Sequence, residues 1–158
     1  MQYATLRDLL DAVGLSWRYY TPPEPGGIGA LWNGFDAIDA VRNGPEWTTN
    51  IVSQTQIFTD ITAGALPAVS WVIPTEGNSD HSGNSSDTGP SWVGTVVNAI
   101  GESQYWNSTA IVVWDDWGGF YDHVPPPFFD RWGGLGFRVP LLIALPYARQ
   151  GSSRYGGY

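Results

Sequence analysis

The sequence predicts an α/β domain in which apolar strands form a central, mainly parallel sheet with helices on its faces. Two apolar runs, residues 68–73 and 109–114, have the length and composition of buried strands. Segments with helical spacing alternate with the strands, as parallel crossover connections require. The 158 residues, 42% of them hydrophobic, are enough for one domain of this kind.

The first half of the chain carries local signals for three helices and a strand. Thr5 and Asp8 have the spacing of an N-capping box variant, and apolar residues on one face then lead to a helix end at Gly14. Residues 15–20 alternate with a period of two, which predicts a strand. Residues 24–29 read as a loop, and turn residues bound two further short helices at about 35–42 and 55–63.

The second half alternates buried strands with a helix and long loops. The strand at 68–73 ends at Pro74, and the polar composition of residues 75–90 predicts a surface loop that contains His81. Helical spacing follows from Trp92 to Ile100, then the strand at 109–114, an aperiodic stretch, and a last strand at 139–145. If the buried strands are parallel, the residues that follow them meet at one edge of the sheet.

Charge and residue usage exclude several classes of function. The net charge is −8 and all seven basic residues are arginine, which disfavours a nucleic-acid groove and excludes Schiff-base lysine chemistry and a P-loop lysine. The absence of cysteine excludes disulfides, thiolate metal sites and a cysteine nucleophile. No apolar run approaches the roughly 20 residues of a transmembrane helix, and residues 1–10 carry no secretion signal.

The adjacent carboxylates of Asp115 and Asp116 are the sharpest chemical feature. They follow an apolar strand directly, where two like charges repel each other and favour a cation or hydrogen-bond donors as partners. A hard divalent metal ion is one such partner. The alternative is structural: one aspartate caps the turn at Gly118 and Gly119 while the other is solvated.

Both histidines of the chain have a functional and a structural interpretation. His81 lies in a polar loop, where it is either a phosphate contact or proton donor, or a solvated surface residue. His123 lies beside Asp122 and ahead of three prolines, which favours a turn-stabilising role slightly over a catalytic one. The nine tryptophans offer a third possibility, a non-catalytic aromatic-rich module that binds sugars or choline headgroups.

Several segments together resemble the bacterial phosphoesterase family, which contains non-haemolytic phospholipases C and acid phosphatases and belongs to the alkaline phosphatase superfamily. The segments are 14–20 (GLSWRYY), 66–74 (LPAVSWVIP), 79–82 (SDHS), 109–127 (TAIVVWDDWGGFYDHVPPP), 136–140 (GFRVP) and 146–151 (PYARQG). They occur in order over nearly the whole chain. The resemblance implies an incomplete alkaline phosphatase-like fold and a metal-dependent phosphoric ester hydrolase acting on a phosphate ester or a phospholipid headgroup.

The resemblance also implies roles for individual residues. Asp115 and Asp116 match the paired acidic ligands of the family's catalytic divalent cation, whose identity the sequence does not specify. His81 matches the histidine that contacts the phosphoryl group, although Ser82 stands where relatives commonly have proline. His123 matches a regular feature of the family.

Two family features precede the segment that matches residues 14–20, an acidic-Asn metal motif and a Ser or Thr nucleophile. The resemblance therefore implies that residues 1–158 form a single partial phosphoesterase domain without those segments and with little activity alone. A missing strand would leave an exposed sheet edge, through which we expect self-association. Family members are usually exported, so the resemblance implies a periplasmic or extracellular location.

Overall fold

The computed structural model describes residues 4–23, 32–83, 88–108, 110–125, 129–134 and 136–149. The predicted loop at 24–29 lies outside these residues, as do residues 84–87 of the predicted 75–90 loop. The helices are α1 (Leu6–Ala12), α2 (Asp39–Arg42), α3 (Glu46–Thr49), α4 (Gln56–Thr62) and α5 (Gly89–Gly101), with 3-10 turns at Gly34–Ala37 and Glu76–Asn78. The strands are β1 (Trp17–Thr21), β2 (Ile51–Ser53), β3 (Val69–Val72), β4 (Ala110–Val113), β5 (Phe129–Asp130), β6 (Gly133–Gly134) and β7 (Leu141–Ala144).

A three-stranded parallel sheet with the order β2-β1-β3 forms the centre of the fold. Tyr19 in the central strand β1 pairs with Ile51 of β2 on one side and Trp71 of β3 on the other. Helices α2 and α3 connect β1 to β2, and α4 connects β2 to β3, so both connections are helical crossovers. The predicted α/β class with a mainly parallel sheet is confirmed.

Strand β1 is covered on both faces, one of them by aromatic rings. The Trp17 ring stacks on Phe35 at a centroid distance of 5.3 Å, and the Tyr19 ring meets Phe35 edge to face at 5.1 Å. Trp71 packs against both strand residues. Each such aromatic pair contributes about 0.5–1.5 kcal/mol beyond the apolar area that it buries.

The opposite face of β1 packs against helices α4 and α5. Tyr20 is fully buried with Ile57 and Ile61 of α4, and Val96 and Ile100 of α5 border this core. Burial of one such side chain contributes about 1.5–3 kcal/mol, so this cluster stabilises the sheet substantially. The period-two alternation predicted for this strand is therefore real, but both of its faces are buried.

Strand β4 departs from the prediction because it is not part of the parallel sheet. It pairs antiparallel with β7, in a separate two-stranded sheet with Val113 opposite Leu141. Ile111 and Val113 are 61% and 59% exposed, so the expected buried parallel strand is wrong. An apolar run predicts a strand but does not specify its partner, and the described residues between β4 and β7 contain no crossover helix.

The N-terminal helix α1 confirms the predicted cap but not a predominantly buried apolar face. The backbone N–H of Thr5 and its hydroxyl both donate to Asp8 Oδ2, at 2.7 and 2.9 Å. Of the apolar residues on this helix, Leu10 is buried whereas Leu6 and Leu9 are more than half exposed. Among the described residues, no helix combines the length and apolarity needed to cross a membrane.

Candidate metal and phosphate site

His81 lies in a turn-rich loop that follows β3. Ser79 orders this loop, because its hydroxyl donates to the carbonyl of Glu76 at 2.8 Å and accepts from the backbone N–H of His81 at 3.2 Å. The His81 side chain is exposed, and its Nδ1 lies 2.9 Å from the carbonyl oxygen of Ser82. A carbonyl oxygen only accepts, so Nδ1 carries a proton in this contact and Nε2 is left for a ligand.

The orientation of the His81 ring depends on Trp32. The two rings stack at a centroid distance of 5.8 Å with an interplanar angle of 18°. Trp32 is tied to the central sheet in turn, because the Tyr19 hydroxyl donates to its carbonyl oxygen at 3.2 Å. Sequence reasoning missed this contact because no local pattern relates two residues so far apart in the chain.

Asp115 and Asp116 lie on a tight turn just after β4. Both side chains are exposed, and Asp116 Oδ1 accepts the backbone N–H of Gly118 at 2.5 Å. Gly118 and Gly119 have φ angles of 63° and 79°, a conformation that glycine adopts without steric cost. Asp116 therefore caps this turn, as the structural alternative expected, while its second carboxylate oxygen stays available.

The loop that carries His81 and the turn that carries the aspartates lie against each other. The Cβ of Ser82 is 3.9 Å from the position that a Cβ would take on Gly118, and Ser82 Oγ is equally close to that position on Gly119. Ser82, the residue after His81, thus lies beside the turn that follows the aspartates, through a contact between two loops. This contact does not arise from neighbouring strands of one parallel sheet, because β4 lies outside that sheet.

Asp122 is held by an arginine that sequence reasoning did not single out. Nε and one terminal nitrogen of Arg138 donate to its two carboxylate oxygens, at 2.9 and 2.7 Å. The backbone N–H of Val124 adds a third donor at 3.0 Å. These hydrogen bonds, those from Arg138 first, hold the pKa of the Asp122 carboxyl well below its ordinary value of 3.8. The adjacent His123 is exposed.

The donor set suits a hard divalent cation in kind but only partly in number. Carboxylate oxygens are the ligands that calcium, magnesium and manganese favour, and Asp115 and Asp116 offer them on an exposed turn. Among the described residues, no group of three or more His, Cys, Asp or Glu side chains is arranged to hold a metal ion. These two aspartates therefore fit part of a coordination shell of six or more oxygens.

Comparison with known proteins identifies relatives along the whole chain. Residues 1–155 match the phosphoesterase family. The chain is 28% identical to the non-hemolytic phospholipase C of Burkholderia pseudomallei over 90% of its length, and 30% identical to that of Pseudomonas aeruginosa over 97%. It is also 27% identical to phospholipase C A of Mycobacterium tuberculosis over 89% of its length.

The chain covers only part of each of these relatives. It spans 26% of the Burkholderia protein, 23% of the Pseudomonas protein and 33% of the mycobacterial one. The match nevertheless extends over nearly all of the present sequence, and it includes both the histidine loop and the aspartate turn. The chain belongs to the phosphoesterase family.

Proposed function

We propose that this chain contributes the aspartate turn and the histidine loop to a metal-dependent phosphoric ester hydrolase of phospholipase C or acid phosphatase type. The observation that carries the proposal is the closeness of Ser82 to the turn at Gly118 and Gly119, because Ser82 directly follows His81 and this turn closely follows the paired aspartates. Membership of the phosphoesterase family supports the same reaction class. The substrate is a phosphate ester, with a phospholipid headgroup as the specific case.

Each side chain has one task in this proposal. Asp115 and Asp116 hold a divalent cation through carboxylate oxygens, and Asp116 does so with the oxygen that its turn leaves free. When bound, the cation stabilises negative charge on the phosphoryl oxygens. His81 donates from Nε2 to a phosphoryl or leaving-group oxygen when its ring is protonated, since Nδ1 already donates to Ser82.

The test is metal and phosphate binding by the full chain. Calorimetry with calcium, manganese and zinc compares the wild type with Asp115→Asn/Asp116→Asn. The control is Asp39→Asn/Glu102→Gln, which changes the net charge equally at exposed carboxylates elsewhere. We expect weak binding that only the first double variant loses, and equal binding by all three proteins would refute the metal assignment.

The histidines are tested separately by titration with inorganic phosphate in the presence of the metal, followed by phosphorus NMR. His81→Gln is expected to weaken phosphate binding, because it removes the imidazole and its Nε2 donor position while keeping a polar side chain. His123→Gln tests the second candidate in the same way. Loss of phosphate affinity in His123→Gln alone would transfer the phosphate contact from His81 to His123.

We expect little turnover of p-nitrophenyl phosphate or its phosphorylcholine ester by this chain. Among the described residues, no third His, Cys, Asp or Glu side chain joins the two aspartates in a group that could hold a metal ion, and a weakly held cation supplies little charge stabilisation. Brisk metal-dependent turnover that Asp116→Asn abolishes would contradict this expectation. It would show that these residues suffice for the complete site.

The binding-module alternative has one observation in its favour, the exposed aromatic residues beside the aspartate turn. Trp117, Phe120 and Tyr121 are 43%, 62% and 91% exposed, and such rings attract choline and sugar faces. Metal-free binding of choline that survives in Asp115→Asn/Asp116→Asn would favour the module. Binding that requires the metal favours the hydrolase.

We also propose self-association through the β4–β7 sheet and an exported location. Ile111, Leu141 and Ile143 on these strands are more than half exposed, and such an apolar patch favours contact with another apolar surface. Analytical ultracentrifugation should show that Ile111→Lys/Ile143→Lys lowers the oligomer fraction. Fractionation of the source cells, with a cytoplasmic marker as control, tests the export that the family resemblance implies.

A further inference from the structure

Asp80, the residue before His81, has a backbone conformation that non-glycine residues seldom adopt. Its φ angle is 57°, which makes it the one non-glycine residue with a positive φ in the described part of the chain. Aspartate tolerates this left-handed region better than most residues, but the conformation still has to be held by its surroundings. Because Asp80 directly precedes His81, its φ and ψ angles set the direction in which the histidine leaves the loop.

The surroundings that hold Asp80 are the first turn of helix α5. A Cβ added to Gly89, the first residue of that helix, would lie 2.8 Å from Asp80 Cγ and 3.1 Å from Asp80 Oδ2. The carboxylate thus occupies the space that the missing side chain of Gly89 leaves. The first N–H groups of a helix have no partner within it and favour negative charge, so this is a stabilising place for a carboxylate.

One hydrogen bond ties the loop to the same helix end, and a second one closes the loop around Asp80. The Thr88 hydroxyl donates to the carbonyl of Gly77 at 2.6 Å. The Ser79 hydroxyl accepts from the backbone N–H of His81 at 3.2 Å. The loop therefore meets the start of α5 at two points, the hydrogen bond of Thr88 to Gly77 and the Asp80 carboxylate at Gly89.

We propose that Asp80 is a positioning residue for His81, and that Gly89 is required because its missing side chain makes room for the Asp80 carboxylate. The inference rests on the proposed role of His81 as the phosphate contact. Asp80 touches neither phosphate nor metal in this account. It fixes the loop so that the imidazole stacks on Trp32, with Ser82 of the same loop against the aspartate turn.

The test reads the position of His81 directly, through the ring current of Trp32 on the imidazole protons in NMR spectra. His81→Gln and His123→Gln assign the signals, since the chain has two histidines, and Trp32→Ala defines the shift without stacking. We expect Asp80→Ala and Gly89→Ala each to move the His81 signals at least half of the way to the Trp32→Ala value. Asp80→Asn should keep most of the stacking, because asparagine tolerates the same φ and still accepts N–H donors.

Gly94→Ala is the matched control, since a Cβ on this glycine of the same helix meets no atom within 4 Å. It should leave the His81 signals unchanged. The coupling is tested by Asp80→Ala/Gly89→Ala, in which the added methyl group no longer meets a carboxylate and should cause no further shift. Circular dichroism verifies that each variant is folded, and Asp80→Gly, which removes the carboxylate and adopts the same φ without strain, replaces Asp80→Ala, alone or with Gly89→Ala, where that variant is not.

Unchanged His81 signals in folded Gly89→Ala, or independent and additive effects of the two substitutions, would overturn the proposal. Titration with inorganic phosphate separates this result from the proposed function. If His81→Gln binds phosphate as the wild type does while the NMR coupling holds, the proposed function fails and the positioning inference stands as a structural one. If the coupling is absent but His81→Gln loses phosphate, only the positioning inference fails.

Discussion

The buried carboxylate of Asp60 makes the strongest prediction about stability. It lies on α4 with its side chain 9% exposed, and a single oxygen, Oδ2, accepts from both Arg18 and the Tyr20 hydroxyl of β1. The Tyr20 hydrogen bond measures 2.6 Å, and Tyr20 itself is fully buried. This carboxylate joins the central strand to the helix that covers it, so its charge matters to the packing of both.

The substitution Asp60→Asn keeps the size and one acceptor oxygen but removes the charge. A hydrogen bond to a charged group contributes about 1.5–3 kcal/mol and a neutral one about 1 kcal/mol, so each of the two bonds loses roughly 1 kcal/mol. Arg18 is 27% exposed, so water can hydrate its guanidinium group once the carboxylate charge is gone. The loss of its charged partner therefore adds little further to the decrease in the free energy of unfolding. We expect a loss of about 2–3 kcal/mol in the free energy of unfolding, or a fall of roughly 5–10 °C in Tm.

The assay is urea unfolding followed by tryptophan fluorescence, with Glu102→Gln as the control for loss of an exposed carboxylate. The control should stay within about 0.5 kcal/mol of the wild type. Tyr20→Phe should cost about 1.5 kcal/mol, and its combination with Asp60→Asn should cost less than the sum of the two. A change below about 0.5 kcal/mol in Asp60→Asn would refute the reasoning, because a buried charged acceptor would then contribute no more than a surface one.

Three further outcomes follow from the same contacts. Because Arg138 lowers the pKa of Asp122 in the folded chain, the stability from this pair is present above pH ~4 and is lost as the pH falls through the lowered pKa. Carbon NMR of the Asp122 carboxyl should show titration well below pH 3.8 in the wild type. In Arg138→Gln the pKa of Asp122 should return toward 3.8. Burial, and then the hydrogen bond to a carboxylate, raise the pKa of Tyr20 above its ordinary value of 10.0, so the stability from this hydroxyl is full below pH ~10 and is lost at higher pH. Burial also raises the pKa of Tyr19, so the absorbance of tyrosinate should show fewer tyrosines ionising before unfolding than in a urea-unfolded sample. Ile57→Ala, which truncates a side chain that is 1% exposed, should lower the free energy of unfolding in urea by about 2–5 kcal/mol. Ile111→Ala, which truncates a side chain that is 61% exposed, should lower it by less than about 1 kcal/mol. Equal losses would contradict the assignment of the core to the parallel sheet.

Local signals in the sequence were sufficient for the elements whose causes are local. The capping pair Thr5 and Asp8 marks the start of α1, and Gly64 closes the helix predicted at 55–63, which the structure has as Gln56–Thr62. The amphipathic spacing around Trp92 predicts α5, although the helix already begins at Gly89. Each of these signals acts within a few residues, where chain geometry leaves few alternatives.

The features that sequence reasoning missed depend on residues far apart in the chain. The pairing of β4 with β7 and the bond of Arg138 to Asp122 both join segments separated by a long aperiodic stretch. Strand β2, only three residues long, has too few positions to display a period. The aspartates were found because adjacent carboxylates after an apolar strand are chemically unusual, but their proximity to the His81 loop comes from Ser82.

The aspartate turn of the candidate site lies on the less buried part of the fold, the β4–β7 sheet. A ligand that binds there can therefore stabilise the local structure of the turn. The aspartate turn extends from a two-stranded sheet whose apolar side chains are largely exposed, so little core burial holds it in place. The turn is held instead by polar contacts. Asp116 accepts a hydrogen bond from the backbone N–H of Gly118, and Arg138, just before β7, donates hydrogen bonds to Asp122. Such segments open at lower free energy than the core. If Asp115 and Asp116 hold a cation as proposed, an ion that binds only the ordered turn would add its binding free energy to the stability of that turn, and with it to the contact with Ser82.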